Sequence, residues 1–122
     1  MKIYTGNFGN EKKYRAAGMQ PVSIARFNRW FSGPKIMDLA PTPDMLHMTE
    51  KEYTPLFDKI LDKLSPAEIL ERLEKLSGGK DIVLLCYEKV GEFCHRHLVA
   101  DWLTKSLGIE IKELGKMENN LF

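Results

Sequence analysis

The chain has 122 residues, 43% of them hydrophobic, and its 18 Lys and Arg nearly cancel 17 Asp and Glu. That length and apolar content suit one core, and a near-neutral balance excludes the global positive field that draws proteins onto nucleic acid or anionic membranes. No run approaches the roughly 18 apolar residues of a membrane span, and the amino end lacks the basic-then-apolar layout of a secretory signal, so a cytoplasmic protein of one domain, residues 1–122, is expected.

Lys2 to Thr5 (KIYT) is short and β-prone, and Gly6, Asn7, Phe8 and Gly9 follow it, so a first strand is expected to feed a glycine-containing turn. The Gly-x-Gly-x-x-Gly spacing of a phosphate-binding loop is missing, which favours a plain tight turn. Pro21 to Phe27 (PVSIARF) reads as a second strand with Val22 and Ile24 on one face, and its end delivers Arg26 toward a loop. Asn28 to Pro43 carries three prolines and a glycine and reads as an irregular excursion. Its aromatics, Trp30 and Phe31, suit either a lid or packing beneath the loop, and packing is the commoner fate.

Helical signals follow. Thr49 with Glu52 fits a capping box, ahead of Leu56, Phe57, Ile60, Leu61 and Leu64 at helical spacing. Ser65, Pro66 and Glu68 open another helix whose stripe is Ile69, Leu70, Leu73 and Leu76, and Gly78 and Gly79 stop it. Its charged residues read as a solvated face. Asp81 to Tyr87 (DIVLLCY) contains four consecutive apolar residues, the pattern of a strand buried on both faces of a parallel sheet. A turn at Glu88 to Glu92 leads to a helix from about Phe93 to Leu107, with Val99, Trp102 and Leu103 inward and Gly108 as its stop. Ile109 to Leu114 reads as a final strand, and Gly115 to Phe122 as a fraying tail.

Strand, helix, strand over residues 81–114 is a βαβ unit with a right-handed crossover and parallel strands. The expected fold class is therefore α/β, a small three-layer fold with a mainly parallel sheet of about four strands and helices on both faces. In such sheets ligands settle at the carboxyl ends of the strands. That edge holds Cys86, Tyr87 and Glu88, with the start of the next helix beside them.

Two cysteines are too few for a disulfide framework, and cytoplasmic thiols are normally reduced, so their value is chemical. Cys94, His95 and Arg96 fall in the first turn of a helix, where unpaired N–H groups and the positive end of the dipole stabilise an anion. Cys94 there could act as a thiolate beside His95 and Arg96, or the turn could cradle a phosphate or carboxylate with Arg96 as the partner. Cys86 alone reads more readily as packing. Glu88 is a candidate general acid or base, the plainer alternative being an exposed turn carboxylate.

Several sharper options fail on spacing. A phosphatase-type loop needs Cys and Arg close together around one backbone cradle, whereas Cys86 and Arg96 have nine residues between them. No C-x-x-C motif is present, although the strand end and helix start can bring Cys86 and Cys94 together as a regulatory disulfide. Zinc could draw on Cys86, Cys94, His97 at i, i+3 from Cys94, and His47, but no paired Cys or His knuckle supports it and no metal is expected. The pattern specifies neither a cofactor nor an oligomeric state.

The run Leu84-Leu85-Cys86-Tyr87-Glu88, then Cys94-His95-Arg96, an apolar helix and a short last strand resembles the signature of the domain-of-unknown-function 488 family. Members of that family also open with a short strand into a glycine-containing turn, as Tyr4-Thr5-Gly6 does here, and carry an arginine after the second strand, a position that Arg26 matches. Asn7 stands where the family often has His or Ser. The resemblance implies an α/β fold and a site containing Cys86, Glu88, Cys94, His95 and Arg96, and it names no reaction.

The leading expectation is an enzyme that binds a small anionic ligand near Arg96, Arg26, Thr5 and Asn7 and uses a thiolate of Cys94 or Cys86, with Glu88 and His95 as proton-transfer groups. A phosphate, nucleotide or nucleic-acid binding module is the alternative, resting on Arg96, Arg26, Arg29 and Lys35, though net charge does not support nucleic acid. An interaction domain with structural cysteines, docking through the loop at Trp30 and Phe31, is the third.

Overall fold

All five residues of β3 (Ile82–Cys86) are buried, as an unbroken apolar run in the middle of a sheet must be. They form the second strand of a four-stranded sheet in the computed structural model of the protein, which describes residues 1–88 and 93–114. The other elements are β1 (Ile3–Asn7), α1 (Glu11–Ala16), β2 (Gln20–Ser23), α2 (Glu50–Asp62), α3 (Pro66–Ser77), α4 (His95–Leu107) and β4 (Ile111–Glu113). The strands lie in the order β2-β3-β1-β4, and every pairing is parallel.

Alternation along β3 builds the two faces. Ile82 and Leu84 pack with Val22, Phe57, Leu73, Val99 and Leu103, placing α2, α3 and α4 on one side. Val83 and Leu85 pack with Tyr14, Phe31 and Leu114 on the other side, where α1 lies. Each such side chain contributes about 1.5–3 kcal/mol by leaving water, so this strand organises both halves of the core. The result is the three-layer α/β fold expected from the pattern.

Local chemistry explains the helix ends. Glu52 donates its backbone N–H to Thr49 Oγ1 while its carboxylate accepts from the Thr49 N–H, closing the capping box. Ser65 accepts from the Glu68 N–H at the start of α3. Gly108 ends α4 with φ of 68°, a left-handed conformation that favours glycine.

Four details differ from the sequence reading. β1 runs on through Gly6 and Asn7, because the missing Cβ at Gly6 leaves room for the Tyr14 ring; a Cβ there would lie 2.4 Å from the Tyr14 hydroxyl. α1 was not anticipated, since Tyr14 is its sole buried residue and leaves no apolar stripe to read. β2 stops at Ser23, where the chain pairs with Lys35: the Ser23 N–H donates to the Pro34 carbonyl and the Ile36 N–H to the Ser23 carbonyl. Along α2 and α3 the buried positions are Tyr53, Phe57, Leu61, Ile69, Leu73 and Ser77, while Leu56 and Leu76 are exposed. In the loop after β2, Phe31 is buried and Trp30 is 58% exposed. The expected turn at Lys89 to Glu92 and the tail from Gly115 to Phe122 lie outside the described residues.

The βαβ unit of β3, α4 and β4 is parallel as expected, but β4 pairs with β1, which therefore lies between its two strands. α1 follows β1 onto one face of the sheet and α4 follows β3 onto the other. Adjacent strands whose connections leave to opposite faces open a crevice at their carboxyl ends. Asn7 and Cys86, in register at the ends of β1 and β3, mark that point. No helix among the described residues is long and apolar enough to cross a membrane.

Candidate functional site

Three chain segments meet at this edge. The segment just after β2 supplies Ala25 and Arg26, the end of β3 and the residues after it supply Cys86, Tyr87 and Glu88, and the start of α4 supplies Cys94 and His95; together they line a crevice of about 200 Å³. Phe27, Tyr53 and Phe93 contribute apolar walls, so the polar groups are few. Pockets of that composition suit small ligands held by a few oriented contacts. Arg26, which lines the crevice, donates its Nε to the Pro41 carbonyl at 2.6 Å.

His95 is buried, and its ring nitrogens have different neighbours. Nε2 lies 2.6 Å from the Ile24 carbonyl, and Nδ1 lies 3.7 Å from Cys94 Sγ. A carbonyl only accepts, so Nε2 carries the hydrogen, and in the neutral ring Nδ1 is a bare acceptor facing sulfur. Burial lowers the His95 pKa to about 4, against the Ile24 hydrogen bond and helped by nearby Arg96, so the ring is neutral at physiological pH. Cys94 has extended backbone angles as the N-cap of α4, with no side-chain capping bond. Its sulfur therefore does not cap the helix amides.

Arg96 turns inward. Its side chain is fully buried: Nη2 donates to Glu113 Oε2 at 2.7 Å, Nε lies 3.1 and 3.2 Å from the two carboxylate oxygens, and Nη1 lies 3.1 Å from Cys86 Sγ. Thr5 donates its hydroxyl to the same carboxylate, and His97 Nε2 lies 3.8 Å from it. Burial alone would raise the Glu113 pKa, but the hydrogen bonds from Arg96 and Thr5 and the Arg96 charge hold it below its ordinary value of 4.5. Asn7 is buried at the end of β1, and its Oδ1 has no hydrogen-bond partner among the described residues.

Of the residues singled out from sequence, Cys86, Glu88, Cys94, His95 and Arg26 share the crevice. Arg96 and Thr5 meet instead at Glu113, behind Cys86, and neither they nor Asn7 line that crevice. Glu113 went unnoticed in the sequence, although a carboxylate at the carboxyl end of a parallel strand was a usable signal. The Ile24 carbonyl had no side-chain signature at all.

The sulfurs of Cys86 and Cys94 are joined as a disulfide, with Cα atoms 7.2 Å apart. This is the pairing the strand end and helix start left open, in a chain otherwise expected to hold both thiols reduced. Disulfides usually span about 4.4–6.8 Å between Cα atoms, so the pair sits just beyond the ordinary range. Cys86 is packed with Ala25 and Cys94 in a small buried cluster beneath Phe8.

The profile of the active DUF488-N3 subclade, DUF488-N3a, matches residues 13–107, well over half of the chain. The chain belongs to this family. No curated protein and no solved structure matches it. The DUF488-N3a match begins within α1 and takes in β2, α2, α3, β3 and α4, and with them Arg26, Cys86, Glu88, Cys94, His95 and Arg96; Thr5, Asn7 and Glu113 fall outside it.

Proposed function

We propose that the protein is an enzyme whose reduced form uses the Cys94 thiolate, with His95 as its base, on a small ligand held in the crevice by an anionic group facing Arg26. The observation that carries this reading is the commitment of His95 Nε2 to the Ile24 carbonyl, which turns the basic Nδ1 toward Cys94 Sγ. Nucleophile, base and a third group that orients the base form the recurring pattern of thiol catalysis. The subclade's description as active agrees with it.

Proton transfer follows from the geometry. As Cys94 Sγ bonds to an electrophilic atom of the ligand, its proton passes to His95 Nδ1, and the departing group takes that proton from His95 as its own bond breaks. Burial disfavours a free imidazolium at His95, so the proton moves as the new bond forms rather than ahead of it. The apolar walls limit competing attack by water.

A non-catalytic anion-binding module is less well supported, because Arg96, the cation on which it chiefly rested, is occupied by Glu113. A docking role for the loop after β2 keeps Trp30 but loses Phe31, which is buried.

The ligand class is tested by protection. Small carboxylates and phosphates at millimolar concentration are expected to slow alkylation of Cys94 in the reduced wild-type protein and to lose that effect in R26A. Equal protection in both proteins would remove Arg26 from the ligand site, and no protection by any anion would remove the anionic ligand.

A further inference from the structure

We infer that the reduced protein holds a soft divalent cation, of which zinc is the type, between Cys86 Sγ, Cys94 Sγ and His95 Nδ1. Those three donor atoms all lie within 4.8 Å of one another, and each comes from a separately positioned site: the end of β3, the cap of α4 and its first residue. The inference goes beyond the nucleophile reading and does not rest on it. It needs only the donor set and its surroundings.

The separations suit a shared ion. With metal–sulfur and metal–nitrogen bonds of about 2.3 and 2.0–2.1 Å at tetrahedral angles, sulfur and nitrogen ligands stand about 3.6 Å apart and two sulfurs about 3.8 Å apart. Cys94 Sγ and His95 Nδ1 are 3.7 Å apart. The sulfurs of Cys86 and Cys94 are bonded to each other in the disulfide; once it is reduced, Cα atoms 7.2 Å apart allow the two sulfurs to part to the separation that a shared ion needs.

The environment matches on three further counts. The Ile24 carbonyl holds His95 as the tautomer whose Nδ1 lone pair is free to coordinate, the role a carbonyl or carboxylate commonly plays behind a ligating histidine. Arg96 Nη1 donates to Cys86 Sγ, which stabilises that sulfur as a thiolate. Charge is the third. Two thiolates would place two negative charges in a buried cluster whose nearest cation, Arg96, is already balanced by Glu113, whereas a divalent ion with two thiolates and a neutral imidazole is neutral overall. Two thiol protons leave as the two metal–sulfur bonds form. Three protein ligands leave a fourth position open, and the three donor residues line the crevice that also holds Glu88. His97, at i, i+3 from Cys94, is not one of the set: Cys94 is extended rather than helical, and His97 lies against Glu113.

The test is a titration of the full-length protein, reduced with a non-thiol reductant and stripped of metal, with cobalt(II). One equivalent is expected to give the near-ultraviolet thiolate-to-cobalt charge-transfer band and the visible bands of a tetrahedral site, with zinc displacing the cobalt. C86S, C94S and H95A should each weaken cobalt binding by at least about a hundredfold, more than the loss of a supporting group behind a ligand, and H97Q and H47Q should leave it unchanged. A reduced wild-type protein that shows no charge-transfer band with stoichiometric cobalt overturns the site, as does a band undiminished in C94S. The two readings fail separately. Rapid, His95-dependent alkylation of Cys94 without a cobalt spectrum removes the metal site alone; a cobalt spectrum from a protein whose metal-free thiols are inert removes the nucleophile alone.

Discussion

Arg96 and Glu113 meet as a buried ion pair, Nη2 to Oε2 at 2.7 Å, with side chains 0% and 6% exposed. The pair ties the first turn of α4 to the end of β4 and leaves Nη1 against Cys86. Removing one member of such a pair strands the other charge, at a cost of about 3–5 kcal/mol. E113Q and R96M should each lower stability by about that much in urea unfolding, and the double variant should be more stable than the sum of the two losses predicts. Additive losses would mean that the pair is not energetically coupled.

The same pair sets a pH dependence. Glu113 has its folded pKa below its ordinary value of 4.5, so the unfolded chain binds a proton more readily than the folded one. Its contribution is fully present above pH 4.5 and is lost as pH falls from there through the folded value. Thermal unfolding of the wild type should therefore drop over that acidic range, and E113Q should show a shallower drop. Parallel curves for the two proteins would assign the acid sensitivity to other groups.

Gly6 offers a test of the packing that shapes the end of β1. A Cβ added there would lie 2.4–2.8 Å from the Tyr14 hydroxyl and ring, and overfilling of a packed site costs about 1–3 kcal/mol. G6A should be destabilised by that amount in the wild-type protein, and should cost far less when introduced into Y14A, which empties the space. If G6A unfolds at the wild-type midpoint, the ring does not rest on Gly6.

What could be read in advance follows the strength of local signals. β3 was legible because four consecutive apolar residues between turn signals suit a doubly covered strand, and α2 and α3 because Thr49, Glu52, Ser65 and Pro66 mark their starts. α1 was silent for want of a stripe, and β2 was overextended because its departure at Ser23 depends on Pro34 and Ile36, residues outside the strand. The site divided in the same way. Cys86, Glu88, Cys94 and His95 were gathered by topology, since strand ends and the next helix start share one edge in a parallel sheet. Arg96 was assigned to a bound anion because its partner, Glu113, lies 17 residues away in an unremarked strand, and pairing across that distance leaves no trace in local sequence. His95 lines the crevice, but which nitrogen faces Cys94 depends on a backbone carbonyl 71 residues away in the chain.

The most direct measurement is the rate of alkylation of each cysteine in the reduced, metal-free native protein, resolved by mass spectrometry and compared between wild type and H95Q, with the denatured chains as reference. Cys94 should be modified in the folded protein, faster than Cys86, and at least about tenfold faster than Cys94 in folded H95Q. Modification of both cysteines only after unfolding, or equal rates at Cys94 in the two folded proteins, would contradict a thiolate served by His95.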